Sequence, residues 1–242
     1  MAAPVRRRRG DAEETRRRVL DAVVSTVIDV GYYKASSNEI ARRAGVTWGS
    51  IQHLFGSREQ LMLDVVNDFG ASLERSFAGG VVEGDTLEIR LRQVFDLLAA
   101  HYEKDTYLVQ VQILLDLSAN PKMSARGRRA IKRNSGQVFD SLARPLLARA
   151  LGEVAAEHDL VLYAFMTMRG YLVSCAIARL IAEFPEGAVL RLAVVDTGGS
   201  GNEAQSRDLV VRGVAAMVRE EAIRRGYDVD AAVLRPLREE PV

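Results

Sequence analysis

The sequence predicts an all-α protein, with a three-helix helix-turn-helix head at the N-terminus and a larger helical body after it. Three observations lead to this fold class. Apolar residues recur at helical spacing through most of the 242 residues. No segment alternates apolar and polar residues between turn signals, as a half-buried strand would. Residues 36–55 have the pattern of two short helices joined by a tight turn.

The composition limits the class of protein. With 48% hydrophobic and 27% charged residues, the chain can bury a sizeable core in one large domain or two modest ones. Its apolar runs are interrupted by charge, so we expect no membrane span, and the basic start lacks the apolar core of a secretory signal. The lone Cys175 cannot form an internal disulfide. A cytoplasmic protein is therefore expected.

The charge is divided unevenly along the chain. Residues 1–60 have a net charge of +4 and the remainder −3, within a total of +1. A basic domain joined to a mildly acidic one fits docking on phosphates. Residues 1–11, which include Arg6–Arg9, are predicted to form a disordered basic arm. Whether this arm is only solvated or adds phosphate and minor-groove contacts stays open.

The first helix is predicted over residues 12–30, where an apolar stripe recurs at helical spacing. Arg16–Arg18 near its start oppose the helix dipole, which indicates an external anion as their partner. A plain solvated face would explain them equally well. Gly31 ends the helix.

Residues 36–55 contain the helix pair. Ser36 with Glu39 forms a capping box, Gly45 takes the left-handed conformation that ends the first helix, and Thr47 caps the second. The second helix is predicted to bury Gly49, Ile51, Leu54 and Phe55 and to expose Trp48, Ser50, Gln52 and His53. Such an exposed face can hydrogen-bond base edges in the major groove of DNA. The alternative for Trp48 is packing on the first helix of the pair.

This stretch resembles the N-terminal domain of the TetR family of transcriptional regulators. The resemblance covers about residues 15–65 and rests on Val30-Gly31-Tyr32, Ser36-Ser37-Asn38-Glu39-Ile40-Ala41, Ala44-Gly45-Val46-Thr47, Gly49-Ser50-Ile51, Phe55 and Ser57-Arg58-Glu59-Gln60-Leu61. Gln52-His53-Leu54 departs from the tyrosines and histidine usual in the family. The resemblance implies a homodimer that binds double-stranded DNA at a pseudo-palindromic operator, as a repressor released by a small effector.

The residues predicted to contact DNA lie on the two helices and at their edges. Arg58, in the first turn of the following helix, is assigned to a phosphate. The full set is Lys34, Ser36, Ser37, Thr47, Trp48, Ser50, Gln52, His53 and Arg58.

The sequence divides further at glycines and prolines. A helix-turn-helix domain over 12–56 leads into a connecting helix over 57–78, capped by Ser57 with Gln60. Gly79-Gly80 marks the start of the body, residues 79–228, and a tail follows over 229–242. The body's helices are predicted over 86–104, 107–119, 123–151 with a kink at Pro145, 158–184 and 205–225, with a glycine-rich loop over 186–204.

The body carries aromatic and methionine residues at helical spacing. For any one of them a plain core position is the simpler explanation, but together they are typical of a mainly apolar ligand cavity. The resemblance also implies a small-molecule site in this body, so we expect a small hydrophobic effector whose polar end meets Arg169 or His101. The residues predicted to line the site are Phe95, Leu98, His101, Tyr102, Val111, Leu115, Phe139, Phe165, Met168, Arg169 and Leu172.

Two helices of the body are candidates for the homodimer interface. Residues 158–184 are too apolar around the helix circumference to face water, and residues 205–225 add a second apolar stripe. No catalytic site, metal site or cofactor is predicted, because the three histidines do not pair at i, i+4 and no nucleophile motif is present. The alternative is a helical enzyme or lipid-binding protein with an incidental helix-turn-helix.

Overall fold

The computed structural model describes residues 5–182 and 199–229, and this part of the chain contains helices and no strand. The predicted all-α fold is confirmed. The first four residues, most of the glycine-rich loop and nearly all of the tail lie outside the described residues. The α-helices are α1 (Val5–Val30), α2 (Ser37–Ala44), α3 (Trp48–Phe55), α4 (Arg58–Ala78), α5 (Leu87–Tyr102), α6 (Asp105–Ala119), α7 (Ala125–Gln137), α8 (Arg144–Leu151), α9 (His158–Ala182) and α10 (Gly199–Arg224).

Two compact units divide the chain. The first consists of residues 1–73 and 104–136, and the second of residues 74–103 and 137–242. The helix-turn-helix head therefore shares a unit with α6 and most of α7, although both helices follow the predicted boundary at Gly79-Gly80. The second unit contains α5, α8, α9 and α10.

A single apolar core explains why these helices belong to the first unit. Apolar positions from α1, α2, α3, α4 and α6 are buried together, and Ala130 and Ile131 of α7 pack against them. If the head folded without α6 and α7, the apolar faces of these two helices would be exposed to water. Burial of those faces against the head therefore favours the combined unit. Large members of this core are Val23, Val27, Ile40, Ile51, Leu61, Met62, Val65, Val109, Ile113 and Leu117.

Tyr32 adds a polar connection between the head and α6. It lies in a 3₁₀ turn, Tyr32–Lys34, that joins α1 to α2. Its hydroxyl donates to Asp116 Oδ2 at 2.8 Å, and its backbone N–H donates to Gln112 Oε1 at 3.3 Å. Burial and the neighbouring Asp116 carboxylate raise the pKa of Tyr32 to about 12, so its hydroxyl keeps its proton at neutral pH.

Three element boundaries differ from the sequence prediction. α1 begins at Val5 rather than at residue 12, because arginine is a good helix former and extends the helix through the predicted arm. The predicted long helix with a kink at Pro145 is divided into α7, a π-helical segment over Val138–Ala143, and α8. Pro145 lies in the first turn of α8, directly after the π-helical segment. α10 begins at Gly199 rather than at Gln205.

α9 is the central helix of the second unit. Over His158–Arg179 it is long and apolar enough to cross a bilayer, with a mean hydropathy of 1.6. The expectation that charge interrupts every long apolar run is therefore wrong here, because Arg169 is the only charged residue between Asp159 and Arg179. In the structure α9 packs against α5, α8 and α10, and Arg169 Nε donates to the Tyr102 hydroxyl at 3.0 Å. These contacts bury one side of α9, and 39% of its most apolar stretch is buried.

Candidate nucleic-acid interface

Local hydrogen bonds fix the geometry of α2, the turn and α3. Ser36 Oγ accepts from the Glu39 N–H at 3.2 Å, and Thr47 Oγ1 accepts from the Ser50 N–H at 3.1 Å. Gly45 ends α2 with φ at 66°, a left-handed value that a side chain would disfavour. The caps by Ser36 and Thr47 and the turn at Gly45 are confirmed. α3 therefore begins at a defined point and direction relative to α2.

The two sides of α3 differ sharply in burial. Ile51 and Phe55, one helical turn apart, are buried in the core of the first unit, and Leu54 is half-buried. The prediction that Gly49 is buried is wrong. Gly49 is exposed because it lies two positions before Ile51, which places it about 200° around the helix.

The exposed side of α3 carries Ser50, Gln52 and His53, as predicted. Their hydroxyl, amide and imidazole groups can each donate or accept hydrogen bonds. Trp48 is half-buried and packs against the core of the unit. Part of its side chain is therefore used in packing, as the alternative interpretation of this residue expects. The exposed polar face is thus narrower than the sequence predicts, and it is centred on Ser50, Gln52 and His53.

The remaining predicted contact residues border this face on the chain. Lys34, Ser36 and Thr47 are exposed, and Ser37 is half-buried. The half-buried Arg58 Nη2 donates to the Ala35 carbonyl at 2.8 Å, and its guanidinium lies over the Tyr32 ring at 5.8 Å from the centroid. Arg58 thereby joins the first turn of α4 to the start of α2. A contact between Arg58 and a phosphate remains a prediction.

Glu39 neutralises the arginines of α2. Its carboxylate accepts from Arg42 Nε at 2.8 Å and from Arg43 Nε at 2.7 Å, and Arg43 also pairs with Asp29 of α1. These hydrogen bonds lower the pKa of Glu39 to about 2, so it is ionised at neutral pH. The carboxylate is engaged with the arginines, so only the serine half of the predicted capping box forms. The network holds α2 against α1.

The basic start of α1 is divided between internal and exposed groups. Arg16 pairs with Asp64 of α4 and lies over the Phe55 ring, 4.6 Å from its centroid. The prediction of an external anion is therefore wrong for Arg16, which has an internal one. Arg17 and Arg18 are exposed. They remain available to an anion outside the protein.

The second unit brings together most of the predicted effector residues. Phe95, Leu98 and Tyr102 of α5 and Phe165, Met168 and Leu172 of α9 are buried, and the two helices are in contact. Phe139 lies 5.5 Å from the Phe165 ring centroid, and His101 lies 5.0 Å from that of Tyr102. Arg169, bonded to the Tyr102 hydroxyl, supplies a cation in this apolar environment.

Two of the predicted effector residues belong to the first unit instead. Val111 and Leu115 lie on α6, where Val111 is half-buried and Leu115 is 65% exposed. Their assignment to an effector site is untested. Within residues 5–182 and 199–229, no three His, Cys, Asp or Glu side chains are grouped so that they could hold a metal ion.

The hydrogen bonds between Glu59 and Ser124 in the first unit are not predicted by any pattern in the sequence. Glu59, in the first turn of α4, accepts from the Ser124 N–H at 3.0 Å and from Ser124 Oγ at 2.5 Å. The two residues are 65 positions apart, so no local pattern connects them. The only available indication is the run of basic residues after position 121, which marks α7 as a surface helix.

Known proteins support the interpretation of the head. The sequence profile of bacterial regulatory proteins of the tetR family matches residues 19–65. The transcriptional regulator BetI of Cronobacter sakazakii is 40% identical over 63 residues, which are 26% of this chain and 31% of that protein. SrpR of Pseudomonas putida is 36% identical over 89 residues, 32% of this chain and 41% of that protein. The chain thus spans less than half the length of these relatives.

Most of the chain has a counterpart among solved structures. The regulator FadR of Bacillus subtilis, in complex with stearoyl-CoA, matches with a TM-score of 0.53 at 15% identity. The match covers 82% of this chain and 97% of that one. At this identity the likeness shows the fold, a helix-turn-helix head with a helical body.

Proposed function

We propose that the chain is a transcriptional repressor, because residues 19–65 match the profile of bacterial regulatory proteins of the tetR family. It binds a pseudo-palindromic operator as a homodimer in the cytoplasm, and a small hydrophobic effector releases it. The observation that carries the proposal is the exposed row Ser50, Gln52 and His53 on a helix whose other side is buried and whose start is capped.

The polar face of α3 has the chemistry that base reading requires. A glutamine can make a bidentate contact to adenine, and serine and histidine can bond bases or phosphates. The hydrogen bond of Thr47 caps α3, and those of Arg58 and Glu39 hold the neighbouring start of α4 and α2, so little ordering is required on binding.

A gel shift with the DNA upstream of the protein's own coding sequence tests the proposal. Gln52→Ala should relax preference at one base pair in each half-site, by about 1–3 kcal/mol. Arg58→Ala should weaken binding to all sequences alike and reduce the salt slope by about one unit. If Gln52→Ala bound the same sites with unchanged preference, α3 would not read bases through this residue.

The homodimer is supported by apolar side chains that the second unit leaves in water. Each would be buried by a second copy of α9 and α10 packed across a two-fold axis. The exposed members are Leu162, Tyr163, Met166 and Ile177 on α9 and Leu209, Met217 and Ile223 on α10. Sedimentation equilibrium at micromolar concentration should give twice the mass of the chain. A monomer mass would contradict the dimer.

The effector is proposed from the chemistry of α5 and α9. Their facing residues are apolar apart from a few groups such as Arg169 and Tyr102, which suits an apolar ligand with one polar or anionic end. FadR holds stearoyl-CoA, so the fold can accommodate a long apolar chain. A thermal-shift screen of hydrophobic metabolites, followed by a gel shift with each hit, tests this step. A set of hits that stabilises the protein but leaves operator affinity unchanged would contradict release by ligand.

A further inference from the structure

The outer face of α7 is basic from Arg126 to Arg133. Gly127 is buried and Ala130 and Ile131 pack against the core, which fixes the inward side of the helix. Up to Arg133 the opposite side carries only arginine and lysine apart from Ala125, and no Asp or Glu occurs between positions 117 and 139. The exposed basic residues of this surface, here called the α7 basic face, are Arg126, Arg128, Arg129, Lys132 and Arg133.

Four of these five charges have no ion pair within the part of the chain that the structure describes. Arg128 donates to the Met123 carbonyl and is attracted by the Glu59 carboxylate. The other four, Arg126, Arg129, Lys132 and Arg133, make no ion pair with a described residue. The first turn of α7 contains no acidic residue, so Arg126 and Arg128 also oppose the helix dipole. Like charges on one helix face repel each other, and an external polyanion would relieve that repulsion.

The α7 basic face is attached to the segment that follows the recognition helix. α3 ends at Phe55, and Glu59, four residues later, accepts both hydrogen bonds from Ser124 at the start of α7. Ser124 Oγ in turn accepts from the Gly127 N–H at 2.9 Å. The hydrogen bonds from Ser124 lower the pKa of Glu59, which keeps the carboxylate ionised. The face is therefore fixed to the same unit that presents Gln52.

We propose that the α7 basic face binds the phosphate backbone of DNA flanking the half-site read by α3. The inference rests on the proposed function, and it adds a second, sequence-independent contact to it. At about 1.5 Å per residue, the α7 basic face extends over about 10 Å from Arg126 to Arg133. That length matches about three base steps of about 3.4 Å each.

The chemistry of the face favours DNA over a membrane surface. Guanidinium groups bind phosphate oxygens in pairs, and an arginine-rich helix face follows a backbone of regularly spaced phosphates. A membrane-binding helix needs large apolar side chains beside its basic ones, whereas the large apolar side chain of the described α7, Ile131, faces the core. The contact adds affinity and salt dependence but carries no sequence information.

The test compares two duplexes and matched variants. One duplex is trimmed to the two half-sites selected from a random pool, and the other has ten additional base pairs at each end. The variant Arg126→Gln/Arg129→Gln/Arg133→Gln removes three charges from the face. The control Arg75→Gln/Lys104→Gln/Arg144→Gln removes three exposed charges elsewhere. The conservative variant Arg126→Lys/Arg129→Lys/Arg133→Lys keeps the charge, and far-ultraviolet circular dichroism confirms that each variant is folded.

On the extended duplex, the glutamine variant should lose about 2–3 units of salt slope for each bound subunit, since each phosphate contact contributes about 0.9. On the trimmed duplex it should bind as the wild type does. The control and the lysine variant should keep the wild-type slope, and the selected sequence should not change in any variant.

Equal slopes for the wild type and the glutamine variant on the extended duplex would overturn the proposal while leaving operator binding intact. Loss of binding to anionic phosphatidylglycerol vesicles, with DNA binding unchanged, would also overturn it and assign the face to a membrane. If the wild type bound neither duplex selectively, the proposed function itself would fail, and the inference with it.

Discussion

Replacing Tyr32 by phenylalanine tests the connection between the head and α6. Tyr32 is only 8% exposed, and its hydroxyl donates to the Asp116 carboxylate. A hydrogen bond to a charged acceptor contributes about 1.5–3 kcal/mol, and removing the donor leaves that carboxylate with one partner fewer. We expect Tyr32→Phe to lower the free energy of unfolding by about 2 kcal/mol at pH 7, measured by urea denaturation followed by circular dichroism.

The pKa of Tyr32, raised by burial and by the hydrogen bond to Asp116, gives a second measure of how this side chain is packed. A tyrosine whose folded pKa is about 12, against 10.0 when unfolded, binds its proton more tightly in the folded state. The stabilisation of the folded state by this tighter proton binding is complete below pH 10 and is lost as the pH rises towards 12. At about 1.36 kcal/mol per pKa unit, the loss reaches about 2.7 kcal/mol. Tyr32→Phe should therefore lose less stability than the wild type between pH 10 and 12.

Tyr33 provides the matched control. It is the next residue in the chain and is 93% exposed, so Tyr33→Phe removes the same atom without a buried contact. We expect Tyr33→Phe to change the free energy of unfolding by less than about 0.5 kcal/mol. Equal stability of the two variants at pH 7, or equal alkaline losses in Tyr32→Phe and the wild type, would refute the role assigned to Tyr32 and Asp116.

Two further predictions concern the network of α2 and the start of α7. The folded pKa of Glu39 is about 2. The stabilisation of the folded protein by the ionised Glu39 carboxylate is therefore present above pH 4.5 and is lost as the pH falls towards 2. In acid urea titrations, Glu39→Gln should flatten this loss, and a slope equal to that of the wild type would contradict it. A methyl group at Gly127 would lie 2.6 Å from Glu59 Oε1, so Gly127→Ala should lower stability by about 1 kcal/mol in thermal unfolding. Gly70→Ala on α4, with no atom within 4 Å, should instead raise it by about 0.5–1 kcal/mol, and the same sign for both would contradict the Glu59 contact.

The features that sequence reasoning predicted correctly are local. Ser36, Gly45 and Thr47 act within three or four residues of themselves, so helix-end chemistry is sufficient to place them. The exposure of Gln52 and His53 follows from the helical period once Ile51 and Phe55 are assigned to the core.

The features that sequence reasoning missed depend on distant partners. Whether Arg58 faces solvent depends on the Ala35 carbonyl, and Arg16 is neutralised by Asp64 on another helix. The membership of α6 and α7 in the first unit depends on the joint burial of side chains up to 84 positions apart, which helical periodicity does not specify. Glycine breaks such as Gly79-Gly80 mark turns of the chain rather than boundaries of the packed core.

Selection of bound duplexes from a random DNA pool tests the central claim most directly. The wild type should enrich two half-sites related by a two-fold axis, with centres about 34–36 Å apart or a multiple of it, and Gln52→Ala should enrich the same sites with one base position relaxed in each half. A pool that shows no enriched sequence after repeated rounds, or one selected identically by both proteins, would contradict sequence reading by α3.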